Sequence, residues 1–378
     1  MTSTNSTSSE LEAIFADGRR QLAICNACRY CAGYCPVWPA MERRGQFSVG
    51  DLEQLANLCH DCRDCYTACM YTPPHEFNLN PPKLFTQIRE DTYDRYIWPH
   101  RIPAALRGFT GLSLVFLVSV AVLVALGLLT GAPDWLTTSS GDIYHVFGHL
   151  SLIAVMSFAL IYSLAVTITG LRRFWKAIRT EDSTFSNGVA WGKTVADILA
   201  LRNMTGGAEG CSYIENHPTL ARKVGHQFLM FGFLGTFLAT CSAAIQQYCL
   251  GMLPPYPPLS VPFILGCLGG TAAVIGAVTL LIIKPKADAT LSTREMSKAD
   301  HGLLGGLLVL MLTGFLVTML RYTPAFPATL ILHLSTILTA FLVFPRTKFV
   351  HLFFRAIAIY QDNVEVQAHL SRLQTSGK

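Results

Sequence analysis

Charge is what this sequence most lacks. Only 14% of its 378 residues are Asp, Glu, Lys or Arg, while 51% are hydrophobic; soluble domains carry roughly 25% charged residues. That balance excludes a single soluble domain, a disordered chain and a nucleic-acid binder with a broad basic face. A secretory signal is missing too. Met1–Glu10 is a polar run without a basic residue or an apolar stretch, so the chain that follows is expected to stay in a reducing cytoplasm. The tripeptide Asn5-Ser6-Thr7 is read as a chance match to a glycosylation site. There is no Walker sequence, no Ser/His/Asp hydrolase signature and no C-x-x-C-H haem-attachment motif. The turn Thr205-Gly-Gly-Ala-Glu-Gly-Cys211 lacks a preceding strand and the spacing of a dinucleotide site.

What is present divides the chain in two. Residues 1–100 hold 9 Lys/Arg against 12 Asp/Glu, and residues 101–378 hold 20 against 12. Eight of the 12 cysteines fall between Cys25 and Cys69. They form two runs, Cys25-x2-Cys28-x2-Cys31-x3-Cys35-Pro36 and Cys59-x2-Cys62-x2-Cys65-x3-Cys69. This spacing wraps three thiolates around one face of a cubane cluster and sends the fourth to the neighbouring cluster. The expected ligand sets are Cys25, Cys28, Cys31 and Cys69 for one [4Fe–4S] cluster, and Cys59, Cys62, Cys65 and Cys35 for the other. Ligation within each run is the alternative. Zinc favours two separated pairs of ligands, and disulfides need an oxidising compartment. Met70 stands where a second proline is expected. His60, beside a ligand, either tunes a cluster through a hydrogen bond or lies exposed in a loop. Cys211, Cys241, Cys249 and Cys267 lack metal spacing and are read as structural.

Beyond Pro103 come six apolar runs: Gly108–Thr130, Ile143–Leu171, Val224–Leu253, Leu259–Ile283, His301–Leu320 and Ala328–Phe344. About 20 apolar residues span a bilayer as a helix. Nineteen of the 20 basic residues after position 100, Arg101, Arg107 and Arg172 among them, fall on the side shared by both termini, and Arg321 alone falls on the other. The positive-inside rule then makes both termini cytoplasmic. The expected protein is a multi-pass protein of a bacterial inner membrane, with a lipid bilayer and no nucleic acid as its surroundings.

With no charge inside the runs, histidine is their main ionisable residue. Buried ionisable groups in membranes are functional candidates, and facing imidazoles are axial ligands of b-type haem. His145, His149 and His333 lie toward the outer side; His226 and His301 open the third and fifth runs on the inner side. Gly148, Gly225 and Gly302 flank them. The expected pairs are His149 or His145 with His333, and His226 with His301, for one haem b or two.

The expected fold is mainly α: a bacterial-type 2[4Fe–4S] ferredoxin-like domain followed by a six-helix transmembrane bundle. Its parts are a polar tail (1–20), the two-cluster domain (21–80), a linker with a short surface helix near Lys83–Tyr96 (81–103), a cytochrome b-like membrane domain (104–345) whose cytoplasmic loop 172–223 holds a helix near Val189–Arg202, and a cytoplasmic tail (346–378).

The doubled cysteine runs, Pro73-Pro74-His75-Glu76-Phe77, the segment Arg89…Tyr93…Tyr96-Ile97-Trp98-Pro99, and Leu201-Arg202-Asn203…Gly206-Gly207…Gly210-Cys211 resemble tricarballylate utilization protein B, a family also called citrate utilization protein B. The likeness runs from about Ile24 through the last apolar run. Arg222-Lys223-Val224-Gly225-His226 departs from the double histidine of that family. The resemblance implies an iron–sulfur, haem-containing oxidoreductase component of flavoprotein:quinone type, with no substrate-dehydrogenating site and no catalytic residue of its own. Its partners would be a flavin-dependent dehydrogenase, which converts tricarballylate to cis-aconitate, and a membrane quinone. A different dehydrogenase would leave the electron path unchanged. A redox sensor or redox-gated transporter would need helices broken near the midplane, for which Pro262 and Gly269-Gly270 are the candidates.

Overall fold

The computed structural model describes residues 8–99, 108–180, 183–207 and 209–376. Asn5-Ser6-Thr7, Arg101, the boundary at Pro103, Arg107 and Ala208 lie outside them. The first five helices, α1 (Ser8–Cys28), α2 (Val37–Glu42), α3 (Val49–Leu58), α4 (Asp64–Thr67) and α5 (Pro81–Tyr96), carry the two cysteine runs in the loops between them. Residues 8–20, expected as tail, are helical because Leu11, Ile14, Phe15 and Leu22 recur at helical spacing and pack onto the core of this domain. Helix α3 starts at a reciprocal cap, with Ser48 and Asp51 each bonding the other's backbone N–H. Helix α5 starts at Asn80 with Pro81 and Pro82 in its first turn. It is no surface helix: Leu84, Phe85, Thr86, Ile88, Arg89 and Thr92 are buried.

Six helices are long and apolar enough to cross a membrane: Gly108–Thr130 (α6), His149–Ile178 (α8), Ala221–Leu250 (α10), Val261–Lys286 (α11 with a 3-10 turn), Arg294–Leu320 (α12) and Phe326–Arg346 (α13 with a 3-10 turn). The second apolar run is not one helix. A short helix, α7 (Ile143–Val146), ends at Phe147 and Gly148, and α8 begins at His149. A methyl on Gly148 would press 2.9 Å from Thr130 Cβ, so the break lets this backbone lie against the end of α6. Helix α11 carries Pro262 in its first turn and runs unbroken through Gly269-Gly270. Its small residues serve close packing instead. A Cβ on Gly232 of α10 would lie 2.2 Å from the Ala273 nitrogen of α11, and one on Gly276 would lie 2.3 Å from the Leu229 nitrogen. Such backbone-to-backbone approach is how small residues hold membrane helices together.

The long connection after α8 holds α9 (Gly188–Ala200) and a hairpin of β1 (Cys211–Ile214) and β2 (His217–Thr219). The segment expected as a tail is a 26-residue helix, α14 (His351–Ser376). Phe354, Ile357, Ala358, Tyr360 and Val364 are buried along it. They lie beside polar Arg355, Gln361 and Asn363, a mixture that reads as tail in one dimension. Helix α14 joins the two halves of the protein. Arg43 pairs with Asp362, and Arg44 pairs with Glu365 at 2.9 Å and Asp51 at 2.7 Å. Helix α3 in turn seats on α8, where a Cβ on Gly50 would fall 2.2 Å from the Ala177 carbonyl.

Glu53, on α3, is a fully buried acid in this cysteine-bearing domain. Burial pushes the Glu53 carboxyl up to about 7, against the hydrogen bond from Tyr96 (2.8 Å) and the Arg95 guanidinium (3.1 Å). A raised carboxyl binds its proton more tightly in the folded state, so stability is lost as pH rises from about 4.3 toward 7 and stays lost above it. Glu53→Gln should therefore raise the melting temperature at pH 8, by about 2–4 °C, and change it little at pH 5.

Candidate electron-transfer site

The loops that bear the cysteines use strained backbone to turn inward. Arg29, Asp61 and Arg63, one after Cys28 and two flanking Cys62, all have positive φ (56°, 55° and 71°). Cys25, Cys28, Cys31 and Cys69 line one cavity together with Cys65, and Trp38, Met41, Tyr71 and Leu79 close it. Cys35 lies with Cys59, Cys62 and Cys65, across from its own run. The two groups meet where Cys31 Sγ stands 3.9 Å from the Cys65 carbonyl. Cys59 Sγ accepts the Asp61 backbone N–H at 3.4 Å and Cys69 Sγ that of Tyr71 at 3.3 Å. Such bonds tune cluster potentials.

The thiols push one another away from ionising. Burial, then Cys69, Cys31 and Cys28, pushes Cys25 up to about 12. Burial and Cys69 push Cys31 up to about 11. Burial and neighbouring thiols likewise raise Cys35, Cys62 and Cys65. Thiolates gathered this way call for a cationic metal partner between them. Among the described residues, no three His, Cys, Asp or Glu side chains are placed to share one metal ion. In a cubane each thiolate binds its own iron, and two groups of four thiols are the donor set that a pair of such clusters takes.

The two groups face different surroundings. Beside the first, Tyr30 and Met70 are 60% and 62% exposed, and Cys28 is exposed. The second is held from all sides. Arg89 of α5 donates to the Ala56 and Cys59 carbonyls at 2.9 and 3.2 Å. Arg222 of α10 donates to those of His60 and Asp61 at 2.9 and 2.8 Å, and Arg355 of α14 to those of Asn57 and Cys59 at 3.2 and 2.8 Å. The glycine-rich turn before β1 also docks here. Asp64, between Cys62 and Cys65, accepts from the Ser212 and Gly207 nitrogens at 2.7 and 3.3 Å. Gly206 has φ +53°, and a Cβ there would strike the Asp64 carboxylate. Cys211 packs into the same cluster of side chains as Cys62. His60 is buried, its Nδ1 2.8 Å from the Leu58 carbonyl, and burial and Arg355 hold its pKa well below the usual range.

The membrane histidines have distinct partners. His145 Nε2 lies 2.8 Å from Asp134. His149 Nε2 lies 3.1 Å from Tyr248 Oη and 2.9 Å from Gln247 Nε2, and Tyr144 bonds the same glutamine at 2.8 Å. His333 Nδ1 lies 3.0 Å from Thr313 Oγ1, with Gly314 of α12 against its ring. His301 is exposed and turns its Nδ1 onto the Ser297 carbonyl of its own helix, 2.8 Å away. The ring facing His226 is that of His351, on α14, with centroids 6.4 Å apart and planes at 90°. His351 lies beyond the last apolar run, four residues before Arg355.

Known proteins match at both ends of this arrangement. Residues 18–95 match the citrate utilization protein B Fer4-like domain, and residues 104–371 match citrate utilization protein B. The chain belongs to the citrate utilization protein B family. Citrate utilization protein B of Escherichia coli is 34% identical over 357 residues, covering 93% of this chain and 92% of that protein. No solved structure matches. An iron–sulfur domain joined to six membrane-crossing helices suits electron transfer at a membrane.

Proposed function

We propose that this citrate utilization protein B family member reoxidises the reduced flavin of a partner dehydrogenase and delivers the electrons to membrane quinone, through two [4Fe–4S] clusters and haem b. The reading is carried by one observation. Two groups of four cysteines stand in series, the first beside exposed Tyr30 and Met70, the second gripped by arginines from α10 and α14. The cavity of Cys25, Cys28, Cys31 and Cys69 then faces the flavoprotein, and the Cys59 group faces the bilayer. Both termini lie in the cytoplasm and the six helices in the inner membrane, as the loop charges favour.

The reaction balances without a catalytic acid or base here. Reduced flavin loses two electrons and two protons, and quinone gains two of each to become quinol. When bound, the iron groups pass the electrons singly. The chain's own residues hold the path together. The thiolates bind iron, Arg89, Arg222 and Arg355 fix the Cys59–Asp61 backbone, and Asp64 anchors the turn that covers it. The dehydrogenase of this reading oxidises a tricarboxylate such as tricarballylate.

The test is anaerobic mixing of the purified protein with substrate-reduced flavoprotein. Cluster EPR signals are expected to appear as the flavin reoxidises. Clusters that stay oxidised with tricarballylate, succinate and hydroxy-acid dehydrogenases alike would favour a sensor.

A further inference from the structure

At the seam between the second cysteine group and the membrane, α10 and α14 each begin with the same pair of residues. On α10, Arg222 precedes His226 by four; on α14, His351 precedes Arg355 by four. At that spacing both members of a pair lie on one helix face. Both arginines spend their donors on carbonyls of the loop Asn57–Asp61. Each histidine is therefore held one helical turn from an arginine that grips the Cys59 loop.

The two imidazoles are also free in the way ligands must be. His351 Nδ1 faces the Lys348 carbonyl, which fixes the N–H on that nitrogen and leaves the Nε2 lone pair available. His226 Nδ1 is buried without a hydrogen-bond partner among the described residues. A buried polar atom left so pays a desolvation penalty unless something occupies it. Two imidazoles on opposite sides of one iron, with bonds of about 2.0–2.1 Å as for other imidazole–metal bonds, bring their ring centres to about 6.3 Å. Here they stand 6.4 Å apart. Arg355, Lys348 and His226 set the charge around His351, and Asp300 pairs with Lys348.

We propose that His226 and His351 are the two axial ligands of a haem iron beside the Cys59 cluster. This rests on the electron-transfer reading above and replaces His301 as the partner of His226. Bis-imidazole ligation with crossed ring planes should give a strongly anisotropic low-spin ferric EPR signal.

The test uses the full-length protein, purified in detergent, with haem per chain measured as the pyridine haemochrome and cluster EPR as the check on folding. His351→Ala and His226→Ala should each lose that low-spin signal and one haem per chain while both cluster signals persist. His301→Ala should keep all three. His351→Met guards against misfolding of the alanine variant. It should retain the haem with a thioether ligand, a changed low-spin spectrum and a raised midpoint potential. If the His351→Met spectrum and potential match the parent, or if haem is lost with His301 and kept without His351, the assignment is overturned while the electron-transfer reading stands. A parent protein that binds clusters but no haem would overturn both the assignment and the haem step of that reading.

Discussion

Replacing Cys59 with Ser should remove one of two clusters and stop electrons from reaching quinone. Iron is expected to fall from about eight to about four per chain. Quinone reduction should fall by more than about 100-fold, since loss of a ligand exceeds the 10–100-fold typical of its outer partners. Flavin oxidation in a single turnover should survive in part, because the Cys25 group beside the exposed surface stays intact. Cys69→Ser should do the opposite. It removes the flavoprotein-facing cluster, so flavin oxidation fails at once while a small-molecule reductant still reaches the second cluster. The expected cross-ligation makes this informative. Cys69 belongs by sequence to the run of Cys59 but lines the cavity of Cys25, Cys28 and Cys31. If Cys69→Ser and Cys59→Ser lose the same cluster, ligation stays within each run.

The second large effect lies in the membrane. Gly232→Leu should abolish the folded protein, because any Cβ at that position would lie 2.2 Å from the Ala273 nitrogen. Backbone cannot yield as a side-chain tip can, so the cost is about 3 kcal/mol or more. Gly305→Ala is the matched control. Nothing stands within 4 Å of a Cβ there, and alanine is the better helix former by about 1 kcal/mol. Size-exclusion profiles in detergent should show aggregate for Gly232→Leu and an unchanged peak for Gly305→Ala. A monodisperse Gly232→Leu protein would mean that α10 and α11 do not meet as described.

The features most legible in sequence were those with fixed spacing or long uniform composition. The cysteine runs are periodic over a few residues, and the six apolar stretches have little competing signal. The family resemblance was legible through the same runs and the segments around them. Less legible was whatever depends on a partner distant in the chain. Helix α14 carries a buried face of Phe354, Ile357 and Tyr360, but Arg355, Asp362 and Glu365 on the same helix look like a solvated tail until Arg43, Arg44 and Cys59 are set beside them. The glycine turn at 205–211 reads as a loop of no evident purpose until Asp64 fills it. His351 is no more legible: four residues before an arginine, it means nothing without the Cys59 loop. The histidines expected to pair by depth stand beside Asp134, Gln247, Thr313 and Ser297. Depth sets which histidines share a layer, whereas helix rotation sets which ones face.

The most direct test of serial transfer is rapid-freeze EPR of the fully reduced protein mixed with a short-chain quinone. Both cluster signals should decay as quinol forms, one quinol for each two electrons lost. Quinol formed at the parent rate by Cys59→Ser, or cluster signals that persist while quinol accumulates, would contradict it.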